Sequence, residues 1–138
     1  MSSDDELRDI FRRTRTIACV GLSPNPARPS HYVSAYLAGA GYRVVGVNPG
    51  QAGRQLLGQT VVATVGDAPD DTDMLDIFRR PGHVLPLVRE AIDALPGLRT
   101  IWMQVGIRND EAADLARSRG IAVVQDRCAM VDHRRLMA

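Results

Sequence analysis

The stretch IACVGLSPNPARPSHYV, residues 17–33, decides how the chain is read. Ile17 to Leu22 form a short apolar run with two β-branched residues, closed by turn residues, and read as a buried parallel strand. Prolines at 24, 26 and 29 remove backbone donors and fix φ, so the strand cannot continue and a helix can begin only after Pro29. Ser30 is a natural N-cap or first-turn residue, and Tyr32, Val33, Tyr36 and Leu37 follow it at helical spacing. A strand that delivers a glycine-containing loop onto a helix N-terminus is the phosphate-binding geometry of doubly wound α/β folds.

Outward from this stretch, strands and helices alternate. Residues 3–14 read as an amphipathic helix capped by Ser3, with acids in its first turn and an apolar stripe of Leu7, Ile10 and Phe11. The helix from about Ser30 to Ala40 stops at Gly41, and Arg43–Val47 is a second strand. Residues 48–60 read as an extended loop pinned by Leu56 and Leu57, with 61–64 a short strand or extended segment and 65–72 a surface loop. Asp73–Phe78 is the third main strand and delivers Arg79, Arg80 and Pro81. A helix over 83–95 follows, then a strand over 100–104, a helix over 109–119 capped by Asn109, and a strand over 121–125. No element is assigned to residues 126–138. The alternation predicts a single α/β domain over 1–138, with a Rossmann-like, doubly wound, mainly parallel five-stranded sheet and helices on both faces. In such a sheet the ligand crevice lies outside the carboxyl ends of the strands.

Composition narrows the function classes. With 17 Lys+Arg against 16 Asp+Glu, no global charge points to nucleic acid or an anionic membrane. Every one of those basic residues is Arg, and the adjacent Arg79 and Arg80 close a strand where bidentate phosphate recognition is suited. No apolar stretch reaches the length of a membrane span and the N-terminus is acidic, so the expected location is cytoplasmic. Cys19 and Cys128 lie too far apart for a metal or redox spacing motif.

A dinucleotide site would need G-x-G-x-x-G after the first strand and an acid at the end of the second. The chain has only Gly21 with Ser23, and its second strand ends Val47-Asn48-Pro49. A Walker A motif is also missing. The segments VGLSPNPARPSHYVSAYLAGAGYRVVGVNPG, LLGQT, DMLDIFRR, TIWMQVGI and VVQDRC, taken in that order, resemble the small stand-alone CoA-binding domain proteins. Their fold is similar to the N-terminal CoA-binding domain of the succinyl-CoA synthetase alpha subunit. The resemblance implies coenzyme A or an acyl-CoA lying across the carboxyl edge of the sheet. By position, it implies that Gly21, Leu22 and Ser23 approach the phosphates, aided by Arg28 and the helix starting near Ser30. Val47, Asn48 and Pro49 would line the adenosine side. Phe78, Arg79 and Arg80 would flank the nucleotide or the pantetheine arm, and Gln104 and Gly106 would sit beside the arm's exit.

Asn48-Pro49 reads equally as a plain turn, and of Arg79 and Arg80 one is expected to face the crevice while the other is solvated. Trp102 and Met103 read as core. Cys128, beside Arg127 and just after the last strand, is either a half-buried structural thiol or a group able to pair with a ligand thiol. His31, His83 and His133 lack triad spacing. The resulting expectation is a non-catalytic CoA or acyl-CoA module, a carrier, sensor or accessory subunit. The alternatives are a small acyl-CoA-dependent enzyme or redox protein using Cys128, and a divergent dinucleotide binder. A homodimer or a protein partner stays open, because exposed sheet edges favour association.

Overall fold

The computed structural model describes residues 2–138. In chain order the elements are α1 (Asp4–Arg13), β1 (Thr16–Val20), α2 (Pro29–Gly39), β2 (Arg43–Val47), β3 (Gln55–Leu56), β4 (Gln59–Thr60), β5 (Met74–Ile77), α3 (Val84–Ala94), β6 (Thr100–Met103), α4 (Asp110–Ser118), β7 (Ala122–Val124) and α5 (Ala129–Met137). The main sheet has five strands in the order β2-β1-β5-β6-β7, all parallel. The chain works outward from β1 to β2 and then returns to lay β5 on the other side of β1. The topological switch point therefore lies between β1 and β5. Among the described residues, no helix is long and apolar enough to cross a membrane.

Strand alternation divides the core in two. Ala18, Val20, Leu75, Ile77, Ile101 and Met103 face α3 and α4, where they meet Val84, Val88, Ala91, Ala112 and Ala116. Ile17, Cys19, Met74, Trp102 and Val124 face the other way, against Leu7 and Phe11 of α1, Val33 and Leu37 of α2, and Ala129 of α5. Both faces of the sheet are thus covered, which is why its strands are mostly apolar along their whole length.

The local signals act as expected at two helix starts. The Glu6 amide donates to Ser3 Oγ at 3.2 Å, and Asn109 Oδ1 accepts from the Ala112 amide at 3.0 Å. At α2 the helix takes in Pro29 itself as its first residue, and the N-cap is Arg28, which makes no side-chain cap bond. Proline is tolerated there because the first-turn N–H has no intrahelical partner in any case. β1 ends at Val20, two residues short of the expected run, because Gly21 turns the chain at φ +91°.

Two elements depart from the expected loops. Residues 55–60 form a β-hairpin in which Leu57 and Gly58 both take positive φ, 55° and 79°. The segment after it runs beside β2, with a parallel bridge between Val47 and Val62. Residues 129–137 are helical, and α5 packs on α1 and α2. Phe11 shows what that packing holds: its ring lies 5.3 Å from Trp102 and 5.1 Å from His133, with 3% of its surface exposed. Phe11→Ala is expected to destabilise the chain by about 3–5 kcal/mol in urea unfolding, the cost of a buried aromatic cavity. A loss below about 1 kcal/mol would mean that α1 is not part of the core.

Candidate functional site

The carboxyl ends of β1 and β5 lie side by side, and the loops leaving them part to opposite faces. Where they part, they touch backbone to backbone. A Cβ on Gly21 would stand 2.7 Å from the Phe78 carbonyl oxygen and 3.3 Å from Arg79 Cδ. Only glycine meets both that clearance and the positive φ.

On the α2 side of this contact is a depression of about 340 Å³ lined by Gly21, Ser23, Arg28, Pro29, Ser30 and Phe78. On the α3 side is a second, of about 290 Å³, with Val20, Val47, Pro49, Arg79, His83 and Leu87 among its lining. The second is largely apolar where β1 and β2 end, and Arg79 stands at its rim. Arg28 lines the first and Arg79 the second, both exposed, while Arg80, also exposed, lines neither.

Several residues suited to a ligand are engaged within the protein. The Gly21 amide donates to the Val47 carbonyl at 2.9 Å, and the Ser23 amide donates to Ser30 Oγ at 2.9 Å. His31 Nδ1 lies 2.8 Å from the Ser23 carbonyl. Asn48 Nδ2 donates to the Leu22 carbonyl at 3.0 Å, while Asn48 Oδ1 accepts from the Gly50 amide at 3.1 Å. Asn48 thus braces the first loop against the second. The Leu22 side chain is fully buried.

At the next strand, Gln104 turns inward and is 3% exposed. Gly106 sits at the rim, its amide donating to Asp126 Oδ1 at 2.6 Å. Arg127, the chain neighbour of Cys128, closes a bidentate pair on Asp132 at 2.7 and 2.9 Å. Cys128 is half-buried at the N-cap of α5. Among the described residues, no three His, Cys, Asp or Glu side chains gather as a metal site.

Sequence reasoning passed over Asp76 of β5, which is fully buried among apolar neighbours. Its Oδ1 accepts from Gln104 Nε2 at 2.7 Å, and its Oδ2 meets no hydrogen-bond partner among the described residues. Burial pushes the carboxyl up to about 7, against the lowering effect of the Gln104 hydrogen bond. The one signal available was an acid at the centre of the apolar strand MLDIF. Also missed were Leu87 and Glu90 of α3, which line the second depression but carry no motif, while His83, weighed only as a base, lines it too.

The family model described as a CoA binding domain matches residues 15–134. A protein of Bacillus subtilis strain 168, YneT, is 32% identical over 131 residues, spanning 95% of this chain and 94% of its own. The solved structure of cell-free ID.343 from Thermus thermophilus is 40% identical, with a TM-score of 0.92 over 99% of this chain and 100% of that one. The dinucleotide-forming acetyl-coenzyme A synthetase 1 of Ca. Korarchaeum cryptofilum, in complex with phosphate and ADP, is 24% identical. It covers 88% of this chain with 27% of its own, at a TM-score of 0.67, a likeness of fold.

Two outcomes follow from the geometry. Gly21→Ala adds a Cβ at 2.7 Å from a backbone oxygen and is expected to cost more than about 1 kcal/mol in urea unfolding. Asp76, whose carboxyl titrates near 3.8 when unperturbed and near 7 in the fold, favours the folded state as long as it is protonated there. That contribution is complete below about 4 and is lost as pH rises through about 7, at roughly 1.4 kcal/mol per pH unit in between. Asp76→Asn should therefore lose more stability relative to the parent at pH 5 than at pH 8. An equal difference at both would show that Asp76 does not titrate in this window.

Proposed function

The chain belongs to the CoA binding domain family, and from that membership we propose that it binds coenzyme A or an acyl-CoA in the crevice at the β1/β5 switch point. The observation that carries the reading is the pair of depressions flanking the β1 and β5 loops, one of mixed character with Gly21, Arg28 and Ser30, the other largely apolar with Arg79 in its lining. A nucleotide with a pyrophosphate, a 3′-phosphate and a long arm needs this combination. It needs cations and a helix N-terminus for the phosphates, and apolar walls for the base.

In this reading the phosphates lie over Gly21 and Ser23, between Arg28 and the start of α2 on one side and Arg79 and Arg80 on the other. The adenosine lies against Val47 and Pro49. Phe78 packs against the ligand, and the arm leaves past Gly106. The Gly21 and Ser23 amides are already bonded within the protein, so the positive charge comes chiefly from the guanidiniums. Leu22, Asn48 and Gln104 act by holding the loops rather than by side-chain contact. The ending Val47-Asn48-Pro49 disfavours a dinucleotide with a free ribose 2′-hydroxyl, since no acid stands there to accept it.

The role we assign is binding without chemistry, as a carrier, sensor or accessory module. A thermal-shift titration with CoA, acetyl-CoA, NAD and ATP tests it, because a ligand that binds the native state alone raises its stability by RT ln(1 + [L]/Kd). CoA is expected to raise the melting temperature and NAD to leave it unchanged; the opposite pattern overturns the reading. Arg79→Ala should weaken CoA binding about 10- to 100-fold by isothermal titration, the loss of a charge-assisted phosphate contact.

A further inference from the structure

We propose that Asp76 couples proton uptake to occupation of the crevice, so that an anionic ligand seated over the β1/β5 switch point drives this buried carboxyl to its neutral form. The inference rests on the CoA reading of the crevice and assigns a regulation to that same site.

Asp76 stands two residues before Phe78, so it lies about 7 Å beneath the crevice lip at the rise of a β-strand. It also lies at the centre of a buried polar line that crosses the sheet. On one side Cys19 of β1 is its register partner, and Cys19 Sγ accepts from Ser34 Oγ of α2 at 3.3 Å. On the other side Gln104 donates to Asp76 Oδ1, and Gln104 Oε1 accepts from the amide of Ala129, the first residue of α5, at 3.3 Å. The two helices that cover this face of the site, α2 and α5, are thus both bonded to the neighbours of one carboxyl. Its Oδ2 meets no donor among the described residues, so Oδ2 is where a proton from solvent would sit, converting carboxylate to acid with no other bond changed.

No cation faces this carboxyl from the elements packed on it. On β1 the Cys19 thiol is pushed well up by burial and stays neutral. From β6 and the residue that follows it come uncharged Trp102 and Gln104. From α2, His31 bonds the Ser23 carbonyl and Tyr36 bonds His133. From α5, His133 is held toward neutrality by burial, Cys128 is half-buried, and Asp132 is paired with Arg127 and Arg135. From α1, Arg13 reaches Thr100 at the opposite end of the strands.

With the crevice free, burial and the Gln104 hydrogen bond set the balance of this carboxyl. A polyanionic ligand brings negative charge to the lip above it, which disfavours the carboxylate further. One charge at about 10 Å, through an effective dielectric of about 20, moves a carboxyl by about one pKa unit.

The test is isothermal titration of the full chain with CoA at pH 7, in two buffers of different ionisation enthalpy, beside Asp76→Asn. The ligand's own phosphate titration is common to both proteins and cancels in their difference. The parent is expected to take up about 0.4 proton more than the variant, with the difference vanishing at pH 5. Equal proton counts at pH 7 overturn the coupling while leaving the CoA reading intact. No binding by either protein overturns both. A carbon-13 titration of the Asp76 carboxyl in the parent protein gives a check that does not depend on the variant folding. Its midpoint should rise by about one unit when CoA is bound, and an unmoved midpoint overturns the proposal.

Discussion

The contact between Gly21 and the Phe78 carbonyl sets the arrangement of everything around the crevice. Two parallel strands can run side by side in any sheet of this class. For the loops after them to lie backbone to backbone, one must give up its Cβ, and a Cβ at Gly21 would stand 2.7 Å from that oxygen. With the loops so close, the helices they feed must leave in opposite directions. α2 packs with Val33 and Leu37 on the Trp102 face, and α3 packs with Val84 and Val88 on the Ile101 face. The crevice is the gap that this divergence leaves. Its loops are then tied laterally, by the Gly21 amide to Val47 and by Asn48 to Leu22.

Much of this fold was legible because its strands are covered on both faces and its helices on one. The apolar run at 17–22 and the largely apolar stretches at 43–47 and 73–78 marked parallel strands, and Ser3 and Asn109 marked helix starts by their capping chemistry. The hairpin at 55–60 was not legible, because its turn places Leu57 at φ 55°, where Asn or Asp would have given the signal. α5 was hidden for a different reason. Its buried side carries Asp132 and His133, which are satisfied by Arg127 and by the Tyr36 hydroxyl and so break the apolar stripe a helix usually shows.

The candidate site shows a different limit. Sequence identifies groups able to bind an anion, such as the Ser23 backbone, Ser30 and Asn48, but not whether they are already engaged. Here those groups hold the loops together, while Arg28, Arg79 and Arg80 remain exposed. The division has a physical sense. Loop geometry at the switch point must exist before a ligand arrives, since ordering it on binding would subtract from affinity. Short neutral groups are suited to that bracing, and long guanidinium side chains can reach a phosphate from outside it.

Asp76 stands apart from both roles, because a buried acid contributes less to stability than a well-packed apolar residue in its place. Its surroundings determine what its ionisation would change. In either protonation state Oδ1 can accept from Gln104 Nε2, so Gln104 keeps its orientation and Oε1 continues to hold the first amide of α5. The cost of the charged form is therefore one of desolvation at Oδ2, with the hydrogen-bond geometry left intact. A group of this kind responds to the potential above it without requiring the backbone to move. Placed two residues below the lip of the crevice, it lies close to where an anionic ligand would bring its charge.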